Sequence, residues 1–308
     1  MISVVVPVFN EGETLEKLHA KILGEMISYG EPFEIIFIDD GSSDNSFEVM
    51  ETLRPLKRIL LQRNYGQTPA LDVGIQAARG EIIIVLDADL QNDPAEITSL
   101  LRKLGEGYDV VVGWRKKRYD PLGRRIFSSL ANYLTRKVLG VNIHDFGCGL
   151  KAFRSSFIKE FRLWGDMQIF LVAVAKEKGA HIGEIEVTHG RREFGYPKVK
   201  ISRMVKTIFD LLAVKFMLKY FTKPVRFFGG WGVFFILIST AAFGWSIYLK
   251  LEHLKDFSVT PLPVIGTLFM ILGVLLFMMG FLAEVLLRIY YEAKNYSPYF
   301  VREIKENK

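Results

Sequence analysis

The chain has 308 residues, a formal net charge of +6, 50% hydrophobic residues and one cysteine, Cys148. A single cysteine excludes an internal disulfide and fits a cytoplasmic soluble part, and His19, His144, His181, His189 and His253 lack the spacing of a zinc site. No nucleic-acid-binding motif accompanies the positive charge, so nucleic acid is not the expected partner.

Ile2 to Val6 is an apolar, β-branched run that predicts a strand, with a helix from about Thr14. Phe33 to Ile38 predicts a second strand, ending at Asp39-Asp40-Gly41-Ser42-Ser43-Asp44. Ser43 or Asp44 is placed to cap the helix that follows. Arg58 to Leu61 gives a third short strand, and Gln67 to Ala78 a helix closed by Gly80. Ile82 to Leu86 reads as a buried central strand that delivers Asp87-Ala88-Asp89-Leu90-Gln91 into a loop. Pro94, a good first-turn residue, opens another helix, and a strand runs from Asp109 to Val112. Alternation of this kind implies an α/β fold with an open, mostly parallel sheet and ligands at the carboxyl ends of its strands. Asn10-Glu11-Gly12, Asp39-Asp40-Gly41-Ser42 and Asp87-Ala88-Asp89 all fall at such ends. No P-loop and no Gly-x-Gly-x-x-Gly is present in the sequence.

Phe227 to Leu249 and Phe257 to Ala283 carry no charged residue. Each reaches the roughly 20 residues needed to cross a bilayer as a helix, and Pro261 and Pro263 mark the start of the second. Basic residues crowd the stretch from Gly190 to Arg226, while the connector from Lys250 to Asp256 is balanced. The positive-inside rule then places both ends in the cytoplasm, with the N-terminal part at the inner face of the plasma membrane and the short connector outside. The N-terminus lacks a basic n-region and a cleavage site, so no signal peptide is expected. Ile201 to Tyr220 is amphipathic and suits a helix in the membrane interface. Gly266, Gly273 and Gly280 recur every seventh residue, a pattern that permits close helix packing and homo-oligomer formation.

Asp87 and Asp89 would repel each other unless a cation lies between them. Their hard oxygens suit Mg2+ or Mn2+, which also bridge nucleotide phosphates. A solvated acidic turn is the alternative for this motif taken alone.

Val4-Val5-Val6-Pro7-Val8-Phe9-Asn10-Glu11, Asp39-Asp40-Gly41-Ser42 and Asp87-Ala88-Asp89-Leu90-Gln91 resemble the inverting family 2 glycosyltransferases of the GT-A fold. Gly113-Trp114-Arg115, Asp145-Phe146-Gly147-Cys148-Gly149 and the two C-terminal apolar runs narrow the resemblance. They are similar to the polyprenyl-phosphate glycosyltransferases: the dolichyl-phosphate mannose synthase group and the bacterial polyisoprenyl-phosphate glucosyltransferases. The resemblance covers essentially the whole chain. It implies a Rossmann-like GT-A domain over residues 1–200, amphipathic juxtamembrane helices over 201–226, two transmembrane helices over 227–288 and a cytoplasmic tail over 289–308.

The resemblance also implies roles. Pro7, Phe9 and Glu11 match the segment that holds nucleobase and ribose, and Asp39 or Asp40 the acidic group on the base. Asp87, Asp89 and Gln91 match the metal and diphosphate site, with Asp87 the member that reaches the ribose or completes the metal shell. Arg115 matches an arginine near the phosphates. Arg124 and Ser128 match a pair that grips the lipid phosphate, and Arg192 and Lys198 fall in a flexible loop that joins the phosphates. Pro197 stands where the family has Ser or Thr, which removes a hydroxyl and a backbone donor beside Lys198.

The implied reaction is attack by a polyprenyl phosphate oxygen on the anomeric carbon of a nucleotide sugar, with inversion. That nucleophile is already anionic near neutral pH, so a strong general base is not obligatory. Asp145 is the candidate to orient the acceptor or take a proton, with a turn cap before Gly147 and Gly149 as the alternative. UDP-glucose is the favoured donor, ahead of GDP-mannose and UDP-formamido-arabinose. A processive polysaccharide synthase is disfavoured because the chain lacks Gln-x-x-Arg-Trp. A non-catalytic scaffold is disfavoured by the intact Asp87, Asp89, Gln91 and Arg115.

Overall fold

The structure, a computed structural model, describes residues 1–116, 122–159, 162, 163, 165, 167–188, 190, 224–254, 256–292 and 301–307. Within these, the side chains of residues 122–128, 130, 131, 287, 288, 290–292 and 301–307 lie outside the description. The expected amphipathic segment at 201–220 lies outside the described residues. Two compact units are present, one built on a sheet and one on two long helices.

The sheet unit runs β1 (Ile2–Val8), α1 (Gly12–Tyr29), β2 (Phe33–Asp39), α2 (Ser46–Thr52), β3 (Leu56–Leu61), α3 (Gln67–Ala77) and β4 (Ile82–Val85). It continues with α4 (Ile97–Gly105), β5 (Val110–Trp114), α5 (Leu122–Leu139), β6 (Lys151–Arg154), α6 (Leu171–Glu177) and β7 (Ile182–Glu186). The chain then forms α7 (Pro224–Leu251) and α8 (Leu262–Glu292) of the helical unit, and ends in β8 (Val301–Asn307).

The strands form one eight-stranded sheet in the order β7-β5-β6-β4-β1-β2-β3-β8. β1, β2, β3 and β4 are mutually parallel, whereas β6 runs against β4 and β5, and β8 against β3. β1 is the hinge of the topology. The chain winds from it through β2 to β3, then crosses back to β4 on its other side, and ligand crevices open at such a reversal. All seven residues of β1 are buried, and Val4, Val5, Val6, Phe37, Ile83, Ile84 and Val111 have no exposed surface. β-branched side chains pack well on a pleated face covered by helices on both sides.

The alternation predicted from the sequence is the alternation found, and each predicted strand is present. β8 is a difference. The segment expected as a tail contains a strand that pairs Leu56 with Asn307 and Leu61 with Val301, with a register shift between Leu60 and Leu61.

In the helical unit, α7 and the Leu262–Leu286 part of α8 are long and apolar enough to cross a membrane, with mean hydropathy 1.8 and 2.5. The glycine pattern is used between these two helices. A Cβ at Gly273 would meet Ile236 Cγ1 at 2.7 Å and the Gly232 carbonyl oxygen at 2.8 Å, and one at Gly280 would meet Val225 Cα at 3.2 Å. Ser239 Oγ donates to the Gly266 carbonyl at 2.6 Å, and the Phe235 and Phe269 rings stack at 5.5 Å.

Candidate active site

The carboxyl ends of β1, β2, β4 and β5 form one rim, and the loops on it are tied to each other. Asn10, at φ 54°, turns the chain out of β1. Its N–H donates to Ser42 Oγ at 2.9 Å, and its Oδ1 accepts the Ser43 N–H at 2.8 Å. Gly12 N–H donates to Asp44 Oδ2 at 3.1 Å and Glu11 N–H to Ser46 Oγ at 3.1 Å. Burial works against the Asp44 charge, but its bonds with Ser46 and Gly12 outweigh that and lower its pKa. A cleft of about 270 Å³ lies between these loops, lined by Asn10, Glu11, Gly12, Glu13, Thr14, Asp44 and Asn45. Pro7 is buried within β1, opposite Ile38, so it shapes the strand end, whereas Phe9 and Glu11 are half-buried at the rim.

The two adjacent aspartates after β2 separate into different environments. Asp40 is 3% exposed, and its oxygens accept the Tyr65 and Gly66 N–H groups, each at 2.8 Å. Burial raises its pKa, with those two bonds opposing. Asp40 therefore holds the loop between β3 and α3. Asp39 commits Oδ1 to the Ser42 N–H at 2.9 Å.

Asp87 and Asp89 follow β4. Thr14 Oγ1 donates to the Ala88 carbonyl at 2.8 Å, which pins this loop to the start of α1. Asp89 Oδ1 accepts the Gln91 N–H at 3.2 Å, with Leu90 between them in the left-handed region at φ 57°. The Gln91 carbonyl in turn accepts the Gly190 N–H at 2.8 Å. Asp87 Oδ1 accepts from Gln67 Nε2 at 2.7 Å. Gln67 Oε1 accepts from Gln168 Nε2 at 3.0 Å, and Gln168 Oε1 accepts from Thr68 Oγ1 at 2.8 Å. Behind Asp87, Gly149 leaves no room for a side chain, since a Cβ there would sit 1.9 Å from Asp87 Oδ2. Lys151 is buried beside this group and donates to the Phe146 and Gln168 carbonyls at 3.0 and 3.3 Å. Burial lowers the Lys151 pKa. A cavity of about 80 Å³ opens between Gln67, Asp87, Gly149, Lys151 and Gln168.

Burial and the charge of Asp89 push the Asp87 carboxyl up to about 6, with Arg115, Lys151 and Gln67 pulling the other way. Two carboxylates in this state fit a hard divalent cation, which would relieve their repulsion. Among the described residues no group of three or more His, Cys, Asp or Glu could hold a metal ion, so a cation here needs further oxygens from its ligand.

Arg115 leaves β5 and meets Asp145. Nε donates to Oδ2 at 2.7 Å and Nη2 to Oδ1 at 3.0 Å, a bidentate pair with Asp145 1% exposed. Burial works against the Arg115 charge, but Asp145 outweighs it and raises its pKa. The Gly147 N–H also donates to Asp145 Oδ1, at 3.1 Å. Both carboxylate oxygens of Asp145 thus accept from Arg115, and Oδ1 also caps the turn at Gly147. Cys148 is buried, and burial pushes its thiol up to about 11, which leaves it a packing residue. Arg124 and Ser128 fall on the first turns of α5, but their side chains lie outside the described residues, as do Arg192 and Lys198. Gln67, Gln168, Lys151 and Gly149 carried no signal in sequence spacing that linked them to Asp87.

Residues 3–162 match glycosyl transferase family 2. The chain belongs to that family. The dodecaprenyl-phosphate galacturonate synthase of Rhizobium johnstonii is 38% identical over 316 residues, covering 98% of this chain and 92% of that protein. The undecaprenyl-phosphate 4-deoxy-4-formamido-L-arabinose transferase of Shewanella sediminis is 34% identical, covering 98% of this chain and 92% of that protein. Glucosyl-3-phosphoglycerate synthase from Mycobacterium tuberculosis, solved with Mn2+, uridine diphosphate and phosphoglyceric acid, superposes with a TM-score of 0.55. It is 21% identical, over 70% of this chain and 78% of that one. The family 2 glycosyltransferase resemblance and the GT-A fold expected from the sequence are therefore both found.

Proposed function

We propose that this glycosyltransferase moves a sugar from a nucleotide sugar to a polyprenyl phosphate, with inversion, at the cytoplasmic face of a membrane. The observation that carries the reading is the Asp87, Asp89 and Arg115 cluster on the switch-point rim, in a chain matched end to end by two polyprenyl-phosphate sugar transferases.

Asp39, Phe9 and Glu11 are the residues proposed to hold the nucleoside, and Asp40 keeps the Tyr65 loop in place. Asp89, with Asp87 and Gln91, would hold Mg2+ or Mn2+. When bound, the cation supplies electrostatic stabilisation to the leaving nucleotide diphosphate. Arg115 adds a fixed positive charge on the same developing charge. Asp145 is a positioning residue that aims the guanidinium, and its bidentate pairing argues against a role as general base. A phosphate nucleophile is consistent with that, since it needs alignment more than deprotonation. Arg124, Ser128, Arg192 and Lys198 are the groups proposed to meet the lipid phosphate.

The relatives' names contain galacturonate and formamido-arabinose, and neither contains glucose. Donors of those two classes therefore stand ahead of UDP-glucose. Leu237, Val264, Leu268 and Leu282 of the helical unit are at least 60% exposed, as lipid-facing residues would be. Both flanks of the helical pair supply strands to one sheet, β7 before it and β8 after it. That supports a hairpin with both ends on the same side, and the basic flanks favour the cytoplasm. The test is a screen of UDP-galacturonate, UDP-formamido-arabinose, UDP-glucose and GDP-mannose against undecaprenyl phosphate with Mg2+ or Mn2+. Transfer from none of them to lipid, or retention of anomeric configuration in the product, would contradict the reading.

A further inference from the structure

We propose that Glu184, on the edge strand β7, is a positioning residue for this reaction, acting on Arg115 through His144 and Asp145. This rests on the role given to Arg115 above.

Trp114 and Arg115 are neighbours in sequence, and so are His144 and Asp145. The two pairs face each other as two rungs. On one rung the Trp114 and His144 rings stack at 4.2 Å with an 18° tilt. On the other, the Arg115 guanidinium meets the Asp145 carboxylate at 2.7 and 3.0 Å. Because the rungs share their backbone, whatever fixes the first constrains the second.

Glu184 fixes the first. Its Oε1 accepts the backbone N–H groups of His144 at 2.5 Å and Asp145 at 3.3 Å, and its Oε2 pairs with His144 Nδ1 at 2.8 Å. Glu184 is 16% exposed, so these bonds are partly shielded from water. Its own position is set by the sheet, where β7 runs parallel to β5 with Glu184 opposite Val112 and Glu186 opposite Trp114. Glu186 also takes Lys116 Nζ at 2.5 Å, and Lys116 lies over the Trp114 ring. A carboxylate on a rigid strand thus clamps the 144–145 corner, the corner carries Asp145, and Asp145 aims Arg115. Carboxylates that accept several backbone N–H groups hold loops more firmly than neutral acceptors do.

Such a chain of contacts acts on the transition state through the geometry of Arg115. Its removal lowers kcat more than it raises the donor KM. It also has no purchase once the Arg115 guanidinium is gone.

Glycosyl transfer to undecaprenyl phosphate is measured for wild type, E184A, E184Q, R115Q and the E184A/R115Q pair, with thermal unfolding of each. E184A is expected to lose about tenfold in kcat with less than a twofold change in donor KM. E184Q, which keeps acceptor oxygen for the two N–H groups, is expected to recover most of the loss. In the R115Q background, E184A is expected to change kcat by less than twofold. Should E184A fail to fold, H144A tests the ring half of the clamp, with a kcat loss expected in the wild-type background and none in R115Q, since His144 is 47% exposed and its truncation leaves no buried void. E184A with wild-type kcat, or with an undiminished effect in R115Q, overturns the Glu184 role and leaves the function standing. R115Q with wild-type kcat removes Arg115 from the mechanism and this inference with it.

Discussion

Gly149 gives the sharpest test of how tightly the Asp87 site is built. In Gly149→Ala the new methyl would lie 1.9 Å from Asp87 Oδ2 and 2.3 Å from its Cγ. Ordinary contact begins at 3.4 Å, so the carboxylate must retreat by 3.4 − 1.9 = 1.5 Å. That retreat breaks the 2.7 Å bond from Gln67 and the relay behind it. A misplacement of about 1 Å in a positioned group costs roughly 100-fold in rate, which is about 2.7 kcal/mol of transition-state stabilisation. Gly147→Ala is the matched control, because its methyl would stand 3.3 Å from Arg115 Nη2 and needs only a few tenths of an ångström of yielding. We expect kcat/KM for sugar transfer to undecaprenyl phosphate to fall about 100-fold in the first. The second should lose less than about fivefold, with similar unfolding temperatures in both. Equal activities in the two variants would refute the close approach of Asp87 to residue 149.

Asp40→Asn turns an amide donor toward a buried N–H, so it should cost about 1–3 kcal/mol of stability. Asp39→Asn should instead raise the donor KM, and thermal unfolding with donor titration separates the two. The folded-state pKa of Asp87 is raised to about 6 from 3.8. Its contribution to stability is therefore fully present below pH 3.8 and is lost as pH rises through 6 in the ligand-free protein. On the proposed metal role of Asp87, binding of Mn2+ with uridine diphosphate would need the ionised form. At pH 5 only about one-eleventh of such a group is ionised, so binding measured by calorimetry should be about tenfold weaker than at pH 7. An unchanged affinity would exclude Asp87 from the metal site. In the helical unit, Gly273→Leu should lower the melting temperature of the detergent-solubilised protein, as overpacking costs about 1–3 kcal/mol. Gly244→Leu, where nothing lies within 4 Å of a Cβ, should not.

The central sheet was legible because its strands are unmixed apolar runs: Val-Val-Val in β1, Ile-Ile-Phe in β2 and Ile-Ile-Ile-Val in β4. β6 is Lys-Ala-Phe-Arg and β7 is Ile-Gly-Glu-Ile-Glu, short segments whose partners, not their own pattern, make them strands. The acidic loops could be placed at strand ends because each directly follows an apolar run. The pairing of Arg115 with Asp145 could not, since thirty residues of chain separate them and only the antiparallel β5–β6 turn-back brings them together. The same holds for the Gln67–Gln168 contact, which spans the strand order β4, β5, β6 before it closes. The division of labour between Asp39 and Asp40 was likewise open in sequence, because it depends on where the Tyr65 loop falls.

The pairing of β8 with β3 has a consequence for biogenesis. Residues 56–61 emerge before both long helices and residues 301–307 after them. Until then β3 is a bare outer strand, the kind of surface on which nascent chains stick to one another. Lys57 and Arg58 place two cations on it, a known protection against such association. The sheet is thus completed only after both long helices have been made, and a product truncated after its second long helix would carry an exposed seam for quality control to find.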